Sequence, residues 1–142
     1  MARIVIAGGG ICGLTGAMML ADDGHDVVVL ERDPAPVPAS PDESFDWQRQ
    51  GVAQFGLGHW MQARGSAILR EAAPTAYDLL RDNGGFEFNL AAYLLSLQGE
   101  TPTDDDARFD LLTGRRSTIE WALATAAGEH PGIEIQRGRG ID

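Results

Sequence analysis

Residues 4–13 read Ile4-Val5-Ile6-Ala7-Gly8-Gly9-Gly10-Ile11-Cys12-Gly13, a short apolar run that becomes a glycine-rich turn and then a helical pattern. A second apolar run, Val27-Val28-Val29-Leu30, ends on Glu31. This is the layout of a dinucleotide-binding βαβ unit. Gly8 lets the chain turn tightly out of the first strand. Gly10 lacks a β-carbon, so a diphosphate can approach the backbone, and Gly13 lets the following helix lie close to the sheet. Gly16, one turn further on, keeps that packing face small. The helix opens near Gly10, and its free N–H groups and positive dipole end favour a phosphate anion. Glu31 falls 18 residues after Gly13. There a carboxylate accepts hydrogen bonds from the two ribose hydroxyls of an adenosine, each bond to the charged group being worth about 1.5–3 kcal/mol. The same carboxylate repels a 2′-phosphate, which argues against NADP. These residues predict recognition of an ADP moiety and leave FAD and NAD both open.

Bulk properties narrow the class. At 142 residues the chain is one domain at most, long enough to bury about two thirds of its unfolded surface. A formal net charge of −10 opposes non-specific binding to nucleic acid or to anionic membranes. Asp104-Asp105-Asp106 reads as a solvated loop. The single cysteine, Cys12, excludes an internal disulfide and a cysteine-rich metal site. Its place inside the phosphate turn suits a small side chain, so it reads as structural. His25, His59 and His130 lack ligand spacing, and no metal is expected. Met1-Ala2-Arg3 is followed by too few apolar residues for a signal peptide, and no segment approaches a membrane span. The expected location is the cytoplasm.

Along the chain, residues 2–7 read as a buried strand, 11–23 as a helix burying Leu14, Ala17, Met18 and Ala21, and 26–31 as a second buried strand. A helical crossover between two buried runs implies parallel pairing with a right-handed connection. Pro34, Pro36, Pro38 and Pro41 make residues 33–58 a proline-rich loop. Residues 59–72 read as a helix with Trp60, Ala67, Ile68 and Ala72 inward, and 75–82 as another after Pro74. Asn83-Gly84-Gly85 is a turn. Residues 88–97 and 108–113 read as two antiparallel strands within an insertion spanning 86–113. Ser117-Thr118-Ile119-Glu120 fits a capping box. It opens a helix that runs to about Gly128 and buries Ile119, Ala122, Leu123 and Ala126. Residues 133–135 then supply a third strand of the parallel sheet. The predicted fold is α/β: a Rossmann-like βαβ unit with a small antiparallel strand pair, all within one domain, 1–142.

The glycine motif with Val-Val-Val-Leu-Glu-Arg resembles the FAD-binding amino terminus of the group A flavoprotein monooxygenases, the p-hydroxybenzoate hydroxylase-like family. Arg49-Gln50-Gly51-Val52 resembles that family's arginine-containing segment after the proline-rich loop. Arg116, followed by Ile119 and Leu123, resembles its Arg-x-x-Leu-x-x-x-Leu element beside the ribityl chain and pyrophosphate. The resemblance implies FAD as cofactor and Gly8, Gly10, Ile11, Cys12, Gly13, Glu31, Arg32, Arg49 and Arg116 as its contacts. It also implies NAD(P)H as reductant and O₂ as co-substrate, with hydroxylation of a small organic, commonly aromatic, substrate. No residue is assigned a catalytic role.

Family members continue beyond the position of Asp142 with an Asp-Gly segment, a Gly-Asp segment and a substrate domain. The chain is therefore expected to be a truncated product, a split half completed by a second chain, or a fragment. His59, Tyr93 and Phe109 are side chains that can face flavin or substrate, although core packing is the commoner role for each. Two further readings stand beside the monooxygenase: a non-catalytic ADP- or FAD-binding module, and a fragment of an NAD-dependent reductase. The long proline loop and the Arg49 segment disfavour the reductase.

Overall fold

The two apolar runs form neighbouring strands. In the computed structural model, which describes residues 1–141, β1 (Arg3–Ala7) pairs in parallel with β2 (Asp26–Glu31), Val5 lying opposite Val28. The intervening helix α1 (Ile11–Asp22) buries Leu14, Ala17, Met18 and Ala21. It packs against Val27 and Val29 of β2 in the main apolar core. The third parallel strand, Ile133–Arg137, joins the outer side of β2, with Val28 opposite Glu134. The sheet is numbered β1-β2-β6 because three further strands come between in sequence.

The turn out of β1 shows why one of its glycines is obligatory. A β-carbon on Gly13 would sit 1.9 Å from the carbonyl oxygen of Gly8, an overlap of backbone on which nothing can give way. Gly8 itself has φ +103°, in the left-handed region. At Gly10 and Gly16 a β-carbon would meet nothing within 4 Å. The small face expected at Gly16 is therefore not forced by helix packing.

The remaining strands form a second, antiparallel sheet in the order β3-β5-β4. Its members are β3 (Gly58–Met61), β4 (Phe86–Asn89) and β5 (Asp110–Arg115). Helices α2 (Ala63–Ala72) and α3 (Pro74–Asp82) follow β3, and Pro74 occupies the first turn of α3, where its missing N–H costs nothing. Ser66 ties α2 to this sheet. Its hydroxyl donates to the Met61 carbonyl at 3.0 Å and accepts the Leu112 N–H at 2.7 Å. The last helix, α5 (Arg116–Glu129), starts directly from β5 and leads to β6. It is buried almost all round because it packs on both α1 and α3, so the core is continuous across both sheets.

Five expectations are corrected. The strand expected to be buried over 2–7 is half open: Arg3, Val5 and Ala7 are exposed, Val5 at 58%, because β1 lies at the edge of its sheet. The helix expected over 59–72 begins only at Ala63, because residues 58–61 pair with β5; a four-residue strand is too short to show its alternation. Trp60, expected inward, is 53% exposed, and Ser66 and Leu69 are buried in place of Ala67, Ile68 and Ala72. The strand expected over 88–97 ends at Asn89, whose side chain accepts the Ala92 N–H at 2.8 Å and caps a helix, α4 (Leu90–Leu97). That segment has no β-branched residue, and its Leu and Ala favour helix. The antiparallel insertion over 86–113 is thus one strand, one helix and the start of β5, and the pair becomes a three-stranded sheet. The capping box at Ser117 does not form. The helix starts two residues earlier, at Arg116 with Arg115 as its cap position, which places Ser117 inside it, and Glu120 turns to other partners. A capping box does form at Thr103 and Asp106, opening a 3-10 turn over Asp104–Phe109.

Candidate nucleotide-binding site

The end of β2 carries Glu31 into a buried polar cluster. Its Oε2 accepts the Gly9 N–H at 2.8 Å and an Arg49 Nη2 hydrogen at 3.0 Å, and its Oε1 accepts the Asp33 N–H at 2.9 Å. A carboxylate offers about four acceptor positions. Three are filled from within the chain, and one on Oε1 remains. Burial pushes the Glu31 pKa up, but the Asp33 N–H, the Arg49 charge and the Gly9 N–H more than offset this, so it lies below its ordinary value.

Arg49, from the proline-rich loop, is the hub of this cluster, with only 2% of its side chain exposed. Its Nη2 also lies 3.4 Å from the Gly9 carbonyl and 3.4 Å from Glu120 Oε2, while its Nε lies 3.4 Å from Asp33 Oδ2. Glu120, fully buried on α5, is held from its other side by Arg116 Nε at 3.0 Å. The Arg49 and Arg137 guanidinium groups lie 5.0 and 5.2 Å from the centre of the Trp47 ring. Burial depresses the Arg137 pKa, Arg49 lowers it further, and the three acids oppose the shift. The charges balance: Arg49, Arg116 and Arg137 against Glu31, Asp33 and Glu120.

A cavity of about 330 Å³ opens beside Glu31, with Gly8, Gly10, Asp33 and Arg49 in its wall and Arg32 and Arg139 at its margin. Arg32 lies across Gly51, where a β-carbon would come within 2.5 Å of its guanidinium. The amino terminus of α1 borders this cavity through Gly10. It carries no side-chain cap and no acidic residue in its first turn. The leading N–H groups of a helix have no intrahelical acceptor, so those of Ile11, Cys12 and Gly13 are free for an anion.

Of the residues expected to hold the cofactor, Gly8, Gly10, Glu31, Arg32 and Arg49 line this one cavity. Gly13 sits beneath the turn. Ile11 and Cys12 line a separate apolar cleft of about 270 Å³ between α1 and α2 and are not in the wall of this cavity. Arg116 is half-buried, engaged with Glu120, and does not line the cavity. Asp33, Arg137 and Arg139 were not singled out as site residues in the sequence; Gly51 entered only within the Arg49 segment, and Glu120 only as the far member of the expected capping box. His59 lies on β3, where burial, with the Arg116 charge, depresses its pKa against the pull of Glu120. Tyr93 and Phe109 are exposed on the second sheet's side of the molecule. Among the described residues no three His, Cys, Asp or Glu side chains are grouped to hold a metal ion, and no helix is long and apolar enough to cross a membrane.

Comparison with known proteins agrees with this geometry. Residues 6–71 match the family model of the NAD(P)-binding Rossmann-like domain. The chain carries a Rossmann-like domain. Over 117 residues it is 31% identical to a D-amino acid dehydrogenase of Cereibacter sphaeroides, an alignment covering 64% of this chain and 26% of the relative. The enzyme of the same name from Bradyrhizobium diazoefficiens is 31% identical over 77 residues, 48% of this chain and 18% of that one.

Solved structures share the fold across 96% of the chain. They include 2-methyl-3-hydroxypyridine-5-carboxylic acid oxygenase (TM-score 0.58, 20% identity, 31% of that chain). PqsL of Pseudomonas aeruginosa, described as an FAD-dependent monooxygenase, matches with TM-score 0.59 and 17% identity over 32% of its length. A Diels-Alderase of pyrroindomycin biosynthesis matches with TM-score 0.61 and 26% identity over 25% of its length. The Rossmann-like chain therefore has a fold that recurs in flavin-dependent monooxygenases. It spans 26% or less of the curated relatives and 25–32% of these solved chains.

Proposed function

We propose that the chain is the FAD-binding part of a flavin-dependent oxidoreductase, and that the complete enzyme is a monooxygenase using NAD(P)H and O₂ on a small organic, aromatic substrate. One arrangement carries the reading: an uncapped helix terminus and a buried carboxylate with one open acceptor face the same cavity. The residues fit the group. The free N–H groups at Ile11, Cys12 and Gly13 would hold the pyrophosphate. The absence of a side chain at Gly10 leaves room beside them, and Glu31 Oε1 would accept a ribose hydroxyl. The filled positions on Glu31 alter the sequence expectation, since the carboxylate has room for one hydroxyl rather than two.

Bound flavin supplies the electron transfer between reductant and oxygen. The chain's own residues bind and orient it. The depressed Glu31 pKa keeps the acceptor ionised at neutral pH, and Arg49 fixes its rotamer. Segments beyond this chain, or a second polypeptide, would complete the substrate pocket, in a protein we place in the cytoplasm.

Fluorescence titration of the full chain with FAD tests the reading. Saturable binding with a yellow chromophore is expected. A demonstrably folded chain that takes up no flavin would overturn it. A second reading, a nucleotide-binding module without turnover, rests on the same cavity, whose lining offers contacts to sugar and phosphate. It is distinguished by FAD uptake without NADPH oxidation when FAD, NADPH and O₂ are supplied together.

A further inference from the structure

Glu120 touches neither the cavity nor the phosphate turn, yet it is fully buried and charged, and its Oε2 makes no hydrogen bond among the described residues. A carboxylate kept there against its desolvation cost needs a reason. The geometry supplies one. Arg116 Nε anchors Glu120 Oε1 at 3.0 Å, and Glu120 Oε2 faces Arg49 Nη2 at 3.4 Å. That same nitrogen bonds Glu31 Oε2 at 3.0 Å, and Arg49 Nε is drawn at 3.4 Å towards Asp33. One guanidinium is thus drawn towards three carboxylates, makes its hydrogen bonds through Nη2 alone, and gives Glu31 a single N–H.

A lone arginine and carboxylate favour a two-bond, parallel pairing. Such a pairing would occupy the last acceptor position on the Glu31 carboxylate, a residue that lines the cavity. We propose that Glu120 is a positioning residue of the nucleotide site. It holds Arg49 away from a two-bond pairing with Glu31 and so keeps Oε1 open to a ribose hydroxyl. This rests on the reading of the cavity as an adenine-nucleotide site and names the residue that tunes its recognition of sugar.

The test compares ADP with 2′,3′-dideoxy-ADP by calorimetry on the full chain. The ratio of the two affinities isolates the sugar contact from any change in phosphate binding caused by altered charge. The wild-type chain is expected to prefer ADP by about tenfold or more, the effect of one hydrogen bond to a carboxylate. Glu120→Gln removes the charge that competes for Arg49 and is expected to bring the ratio towards unity, with dideoxy-ADP still bound. Glu120→Asp keeps the charge but retracts it by one methylene. It is expected to lower the ratio in the same direction, and it decides the matter if the glutamine variant does not fold. Wild-type ratios in the folded variants would overturn the role of Glu120 alone. A wild-type chain that fails to bind ADP, or does not distinguish the two nucleotides, would instead overturn the reading of the site itself.

Discussion

The two sheets make opposite uses of their surroundings. The parallel sheet β1-β2-β6 packs its Val27 and Val29 face on the helices, leaves Val5 of β1 58% exposed, and gathers charge at the end of β2, where Glu31, Asp33, Arg49 and Glu120 are all buried. The antiparallel sheet β3-β5-β4 packs one face on α2 through Leu112 and leaves Trp60 and Phe86 more than half exposed on the other. In the first region charged groups are removed from water and set against opposite charges from other chain segments, although Glu120 Oε2 and the Arg49 Nε and Nη1 atoms make no hydrogen bond among the described residues. In the second, aromatic groups remain in water because among the described residues nothing covers them. Buried charge held by several partners marks a recognition site far better than exposed rings do. The contrast predicts that substitutions around the parallel sheet damage binding or folding, while those on the open face of the antiparallel sheet do little.

The largest effect is expected at Gly13. Gly13→Ala places a methyl on the Gly8 carbonyl. Thermal unfolding should show a loss large enough to remove the cooperative transition. Gly10→Ala, a few residues away, adds its methyl to open space. It should melt like the wild type and yet bind FAD more weakly, because the methyl enters the path of the pyrophosphate. A matching loss of stability in both variants would break the distinction between a packing glycine and a ligand-facing one.

Arg49→Met comes next. It leaves three buried carboxylates without their shared cation, and denaturant unfolding should report a loss of about 3–5 kcal/mol. A near-neutral result would mean that water replaces the guanidinium, and the cluster would not be the closed network its geometry describes. Glu31→Ala removes the acceptor from the cavity and should cost about 1.5–3 kcal/mol in FAD affinity.

The same carboxylate sets a pH dependence. Its folded pKa lies below the ordinary 4.5. The stability that Glu31 contributes is therefore complete above that value and is lost as pH falls through the lower folded value, with FAD affinity declining over the same acid range. Loss of binding centred above pH 4.5 would assign it to another group. The smallest effect is expected on the open face. The Trp60 ring lies 5.8 Å from that of Phe88; Trp60→Ser should change stability by no more than about 1 kcal/mol, and a larger loss would show that this ring pair does more than cover solvent-exposed surface.

How far these regions could be read from sequence follows from how local their causes are. The βαβ unit is specified within residues 3–31. Gly8 and Gly13 are demanded by the turn itself, and Leu14, Ala17, Met18 and Ala21 repeat at helical spacing, as the structure shows. The 90–97 segment misled because an unbroken apolar run has no period to read, and the Asn89 cap that makes it helical depends on where β4 ends. Trp60 looked like core because its exposure depends on what lies over β3, which no local pattern encodes. Glu31 was legible from its distance to the glycines. The cluster around it was not: Arg49 and Glu120 are 18 and 89 residues away, and only the folded chain brings them together. Thr118 and Ser117 misdirected the reading of Glu120, since a serine three residues before a glutamate signals a cap only when the serine precedes the helix.

The three donors that hold Glu31 have a kinetic corollary. Gly9, Asp33 and Arg49 fix the carboxylate in the ligand-free chain, so an arriving nucleotide meets an acceptor already aimed and gives up little side-chain freedom in using it. Encounter should then proceed at the same speed for sugars with and without hydroxyls, and discrimination should appear as dwell time: the hydroxylated nucleotide leaves slowly, and the stripped one leaves at once.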